Sequence, residues 1–175
     1  MGKPTLIVVS GPAATGKTTL AHNLAEAIGC PAVCRDEIKE GMVHALDGRF
    51  EPAPGDPLTR RTFVVFFQLI RFLLEAEVTV VAEAAFEGGV WRPNLEPLGD
   101  LSRLKIVRCQ ADPAVARQRV VERPSRAAHA DASLLASAGY YDGFDPASMP
   151  VPTIDVDTSG GYRPSIEEIV AFLRA

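Results

Sequence analysis

Lys17 and Thr18, preceded by glycines at positions 11 and 16, are the residues whose types and spacing most directly dictate a chemistry. The run Gly11-Pro-Ala-Ala-Thr-Gly-Lys-Thr18 satisfies G-x-x-x-x-G-K-[ST] at every fixed position. Glycine at 11 and 16 lets the backbone curl so that successive amides, from Ala13, Ala14, Thr15 and Gly16 through Lys17, Thr18 and Thr19, converge on one anion. A helix starting near Lys17 adds unpaired N–H groups and the positive end of its dipole. Lys17 can then reach the β- and γ-phosphates as a point charge, and the Thr18 hydroxyl can ligate Mg²⁺. The flanks fit this reading. Leu6 to Val9 reads as a buried strand, and Leu20, Leu24 and Ile28 recur at four-residue spacing along a helix. The stretch predicts a site for a nucleoside triphosphate and Mg²⁺.

The elements that position this loop follow from pattern and punctuation. Gly29 stops the first helix, and Pro31 to Cys34 forms a second strand. Arg35-Asp36-Glu37 ends that strand and leads into a helix carrying Ile38, Met42, Val43 and Leu46. Residues 47–55 are loop by composition. Asp56-Pro57 reads as an N-cap with proline at the first helical position, opening a helix to about Glu75 whose core face holds Phe63, Phe66, Phe67, Ile70 and Leu74. Val78 to Ala82 is a third strand closed by Glu83. Ala84 to Leu101 is loop plus a short helix, and Leu104 to Cys109 a fourth strand. Asp112-Pro113 opens a helix through about Glu122, while 123–148 resists assignment. Thr153 to Val156 is a fifth strand, and Ser165-Ile-Glu-Glu168 matches a capping box for the last helix. Strands alternating with helices imply a parallel sheet covered on both faces, with ligands at the strands' carboxyl ends. The phosphate loop, Asp36 and Glu83 all fall at such ends.

Composition bounds the remaining classes. The chain of 175 residues, 47% hydrophobic, suits one domain, here residues 1–175. A net charge of −4 argues against a broad nucleic-acid surface, although a local basic groove is compatible with it. Three cysteines without a C-x-x-C pair, and no secretory signal before Pro4, predict reduced thiols and a cytoplasmic protein. Cys30 and Cys34 show no partners for a zinc site, the three histidines being scattered in sequence. The most apolar run, Phe63 to Leu74, is interrupted by Gln68 and Arg71, so no membrane span is expected. No N-K-x-D guanine clamp is present, and Asp157-Thr-Ser-Gly160 follows the last strand, which disfavours a GTPase. Large ATPases usually carry more chain for sensor and lid domains.

Taken together, four segments resemble the small P-loop kinases of the nucleoside-kinase type, with chloramphenicol phosphotransferase, the kinase domain of phage polynucleotide kinase, and gluconate and shikimate kinases as the nearest look-alikes. They are Ser10 to Thr19, Arg35-Asp36-Glu37, Ala111 to Arg123, and Val156-Asp-Thr-Ser159. The resemblance implies an α/β three-layer fold with a five-stranded parallel sheet of order 2-3-1-4-5 and an arginine-bearing lid over about 117–129. It implies that Arg119 stacks on adenine or touches the α-phosphate, and that Arg123 reaches the transferring phosphoryl group, with Arg126 a second candidate. The 156–159 segment would be the adenine-side loop. Many relatives carry Asp at the end of strand three, where this chain has Glu83, and its lid is alanine-rich.

Each candidate has a structural alternative. Asp36 can accept the acceptor hydroxyl's proton or orient that hydroxyl beside Mg²⁺; its structural alternative is the N-cap of a helix from Glu37 to Leu46, and one carboxylate can do both. Glu83 can hold a Mg²⁺-bound water or the substrate, or simply pair with Arg35 or Lys17. Phe63, Phe86, Trp91 and Tyr140-Tyr141 can line an apolar pocket or fill a core, and Arg60, Arg61 or Arg92 can grip an anionic acceptor or coat a surface. The expectation is an ATP-dependent kinase acting on a small-molecule hydroxyl. A nucleic-acid 5′-hydroxyl kinase and a non-catalytic ATP sensor are the alternatives.

Overall fold

The computed structural model describes residues 2–46, 50–53, 56–122, 128, 143–146 and 148–175. Five strands, β1 (Thr5–Ser10), β2 (Ala32–Cys34), β3 (Val80–Glu83), β4 (Arg103–Gln110) and β5 (Thr153–Asp157), form one sheet in the order β2-β3-β1-β4-β5. Every pairing is parallel, so the topology is the 2-3-1-4-5 order anticipated from the resemblance. Six α-helices accompany the strands among the described residues: α1 (Lys17–Ile28), α2 (Arg35–His44), α3 (Pro57–Glu75), α4 (Arg92–Gly99), α5 (Pro113–Glu122) and α6 (Ile166–Arg174).

The two-residue period of β1 divides the core. Leu6 and Val8 face one side with Val80, Ala82, Leu104 and Ile106, and meet Phe66, Ile70 and Leu74 of α3 and Leu95 and Leu98 of α4. Ile7 and Val9 face the other with Val81, Val107 and Val156, against Leu20 and Leu24 of α1 and Ile169 and Leu173 of α6. Ala21 and Ala25 are buried alongside, which lets α1 approach the sheet closely. Phe63 and Phe67, expected on the core face of α3, are only partly buried and pack against the cluster from its margin.

The predicted caps hold. Asp56 accepts from the Thr59 amide at 2.7 Å. Ser165 and Glu168 exchange both bonds of the capping box, and Gly29 ends α1 in the left-handed conformation at φ 81°. Strand three differs: it starts at Val80 instead of Val78, because the Val78 amide donates to Leu73 O at 2.9 Å and is used up terminating α3. It also runs one residue further, so Glu83 is its last member and does not stand beyond it. Helix α2 begins at Arg35, not after Glu37. Its N-cap position is Cys34, which makes no side-chain cap bond, so the capping alternative for Asp36 is corrected: Asp36 and Glu37 lie in the first helical turn, where their charge suits the dipole.

Candidate active site

The loop between β1 and α1 is braced from inside. Thr15 Oγ1 and Lys17 Nζ both donate to Pro12 O at 2.9 Å. Gly16 takes φ 80° and Ala14 φ 60°, the left-handed backbone conformations from which anion-binding concavities are built. Gly11 is required for a different reason. It has φ 149°, and a Cβ there would overlap the Cys109 carbonyl oxygen of β4.

Register delivers the first acidic partner. Glu83 lies beside Val9 of β1 and Cys34 of β2 at the carboxyl edge of the sheet. Its Oε1 is 3.9 Å from Lys17 Nζ, and its Oε2 accepts from Thr18 Oγ1 at 3.1 Å. Burial pushes the Glu83 carboxyl upward from its ordinary pKa, Lys17 and Thr18 oppose this, and the nearby Asp36 and Glu37 charges reinforce it. Of the two partners proposed for Glu83, the structure supplies Lys17. Asp36 reaches the same region from α2, half-buried, with Arg35 Nη1 at 3.0 Å. The Arg35 Nε is buried without a hydrogen-bond partner among the described residues.

On the opposite side, Thr158 just beyond β5 joins three elements. Its hydroxyl lies 2.6 Å from Thr15 O and 3.0 Å from Gln110 O. Arg119 of α5 donates through Nη2 to Thr158 O at 2.6 Å and through Nη1 to its hydroxyl at 3.5 Å. Arg119 is thereby held next to Gly16. Sequence reasoning marked the 156–159 segment but not Thr158 itself, whose importance rests on a contact with Thr15 across the fold.

Phe86, Trp91 and Arg92 line one cavity of about 220 Å³ together with Asp145, Ser148 and Met149. Phe86 and Trp91 are also core residues, their rings 4.8 Å apart, so the packing and pocket readings hold at once. Arg92 ion-pairs with Glu96 at 2.6 Å. The cavity is tied to the phosphate loop one residue from Phe86, because the Ala85 carbonyl accepts from Ser10 Oγ at 2.8 Å and from the Gly11 amide at 3.3 Å. Thr19 is exposed on α1, and Arg60 and Arg61 are exposed on α3. Arg123, Arg126, Tyr140 and Tyr141, and most of the proposed lid, lie outside the described residues. One reading is corrected. Cys34 has potential metal-ligating neighbours after all, because α1 and α2 bring His22 and Glu37 to it.

An anion-cradling loop on the central strand, with a lysine and a threonine against a buried carboxylate, in a parallel sheet of this order, defines a P-loop protein of the small-kinase fold. A family model described as an AAA domain matches residues 6–146, and the chain belongs to that family. Solved structures agree on the architecture. A candidate kinase from Chloroflexus aurantiacus is 23% identical with a TM-score of 0.78, over 99% of this chain and 96% of its own. A gluconokinase from Sinorhizobium meliloti is 20% identical with a TM-score of 0.65, over 99% and 94%. An APS kinase of Mycobacterium tuberculosis, solved with AMPPNP and APS, is 13% identical with a TM-score of 0.63, over 100% of both chains. No curated protein matches the sequence. Among the described residues no helix is long and apolar enough to cross a membrane.

Proposed function

We propose that this protein is an ATP-dependent kinase that transfers the γ-phosphoryl group of ATP to a hydroxyl of a small molecule. The observation that carries this reading is the convergence of Lys17, Thr18, Glu83 and Asp36 from three adjacent strand ends. Amides 13–19 and Lys17 bind the phosphates, and Arg119 with the Thr158 loop bounds the nucleotide on the far side. The oxygen-only donors Thr18 and Glu83, side by side, fit Mg²⁺: Thr18 would ligate it, Glu83 would hold it through water, and Asp36, whose charge acts on Glu83, would add to the negative field. Bound there, Mg²⁺ neutralises charge on the β- and γ-phosphates.

Asp36 orients the acceptor hydroxyl and takes its proton as the oxygen attacks the γ-phosphorus. The bond from that phosphorus to the β–γ bridging oxygen breaks, and ADP leaves with the electron pair. Phe86, Trp91 and Arg92 hold the acceptor in the adjoining cavity, whose apolar floor and charged rim suit a compact polyhydroxy or ring compound. The resemblance assigns Arg123 and Arg126, which lie outside the described residues, to the charge of the transferring phosphoryl group.

The test is a screen of hydroxyl compounds, including sugar acids, cyclic polyols and an oligonucleotide 5′ end, for acceptor-dependent ADP formation with ATP and Mg²⁺. Lys17→Met serves as the control, since it removes the phosphate-facing charge while sparing the core. The reading fails if wild type binds ATP but no acceptor raises ADP formation above the Lys17→Met level.

A further inference from the structure

Beyond the phosphate site, α1, β2 and α2 bring a second set of donor atoms together. His22 Nε2 is 2.7 Å from Glu37 Oε1 and 3.8 Å from Cys34 Sγ, and the three donor atoms all lie within 4.8 Å of one another. We propose that His22, Cys34 and Glu37 form a three-ligand site for a borderline-soft divalent cation of the zinc type, with a fourth position open to water.

Donor chemistry selects the ion. Imidazole, thiolate and carboxylate suit Zn²⁺, whereas the oxygen-only pair at Thr18 and Glu83 suits Mg²⁺. Geometry agrees. A tetrahedral ion at about 2.3 Å from sulfur and about 2.1 Å from nitrogen sets those two ligands about 3.6 Å apart, close to the 3.8 Å between Cys34 and His22. The nitrogen–oxygen separation must open from the 2.7 Å hydrogen bond to about 3.4 Å. Both of those side chains are about half exposed, at 50% and 45%, which gives each room to swing toward solvent. Cys34, in contrast, is 2% exposed and anchored in the β2–β3 ladder. The site is thus a fixed sulfur floor under two movable outer ligands, open to solvent from the outer side. On binding, the thiol proton leaves to solvent and the sulfur–metal bond replaces it. His22 stands one helical turn beyond Thr18, and Glu37 follows Asp36. An ion held here therefore clamps α1 to α2 beside the phosphate site without sharing a ligand with it.

The test uses full-length protein stripped with a chelator and held in excess Mg²⁺, with Co²⁺ as the spectroscopic probe and Zn²⁺ as competitor. One equivalent of Co²⁺ should give thiolate-to-cobalt charge-transfer absorption and the intense visible bands of four-coordination, both erased by Zn²⁺. Zn²⁺ should also raise the melting temperature. His22→Asn, at a half-exposed position, should keep the metal-free melting temperature and ATP–Mg²⁺ affinity of wild type while losing at least about tenfold in Zn²⁺ affinity. Glu37→Gln should behave alike, and Cys34→Ser should abolish the charge-transfer band. A Co²⁺ spectrum without a thiolate band, or unchanged Zn²⁺ affinity in His22→Asn, overturns the proposal.

Discussion

Asp56 offers the most quantitative perturbation. Its Oδ1 accepts from the Thr59 amide at 2.7 Å, and its Oδ2 accepts from Thr59 Oγ1 at 2.7 Å and from Lys39 Nζ at 3.0 Å. Both Asp56 and Lys39 are 7% exposed, and the ammonium also sits 5.3 Å from the Phe50 ring centroid. Burial opposes ionisation of Asp56, but the Thr59 hydroxyl and amide and the Lys39 charge outweigh it and hold the carboxyl at about 2, below its ordinary 3.8. At about 1.4 kcal/mol per pH unit this is worth about 2 kcal/mol of folding stability. The folded-state value is depressed, so the contribution is complete above 3.8 and is lost as pH falls through about 2. Asp56→Asn keeps a carbonyl oxygen for the Thr59 amide and removes the charge. Urea unfolding should show it about 2 kcal/mol less stable at neutral pH, with the gap closing progressively below about pH 4. Asp56→Ala should lose more, about 3–4 kcal/mol, since it also removes the side-chain acceptor of the Thr59 amide that caps α3. A neutral-pH difference under about 0.5 kcal/mol for Asp56→Asn, or one that does not shrink in acid, would refute the reasoning.

Three further outcomes are expected. Glu83→Gln should be at least as heat-stable as wild type at neutral pH. A buried carboxyl with a raised pKa destabilises the fold as pH climbs from the ordinary glutamate value through the folded-state one; the same variant should bind ATP–Mg²⁺ at least about tenfold more weakly by calorimetry. A lower melting temperature would contradict the first half. Gly11→Ala should lose about 2–3 kcal/mol in chemical unfolding and most ATP binding, because its Cβ meets the Cys109 backbone; wild-type stability would show that the loop has another conformation. Asp36→Asn should nearly silence transfer to an identified acceptor with little change in ATP affinity, as amide cannot take the proton. Full turnover in steady-state assays would return Asp36 to a purely helical role.

What the sequence determined by itself was local or periodic. The phosphate loop is contiguous, so its residue types carry their chemistry without help from the rest of the chain. The Asp56, Ser165 and Gly29 helix ends were legible because capping depends on neighbours within a few residues. The sheet order followed from resemblance, not from periodicity. Tertiary structure decided everything that depends on separation along the chain. Whether Glu83 belongs to Lys17 or Arg35 is set by strand register, which no local signal encodes. Val78 looked like strand by type, yet its single amide hydrogen can be donated only once, and the end of α3 claims it. Thr158 reads as an ordinary loop threonine until β5 brings it to Thr15. His22, Cys34 and Glu37 share no motif spacing; a helix, a strand and a second helix must pack before their donor atoms meet, because side-chain proximity there is created by the sheet and not by the chain.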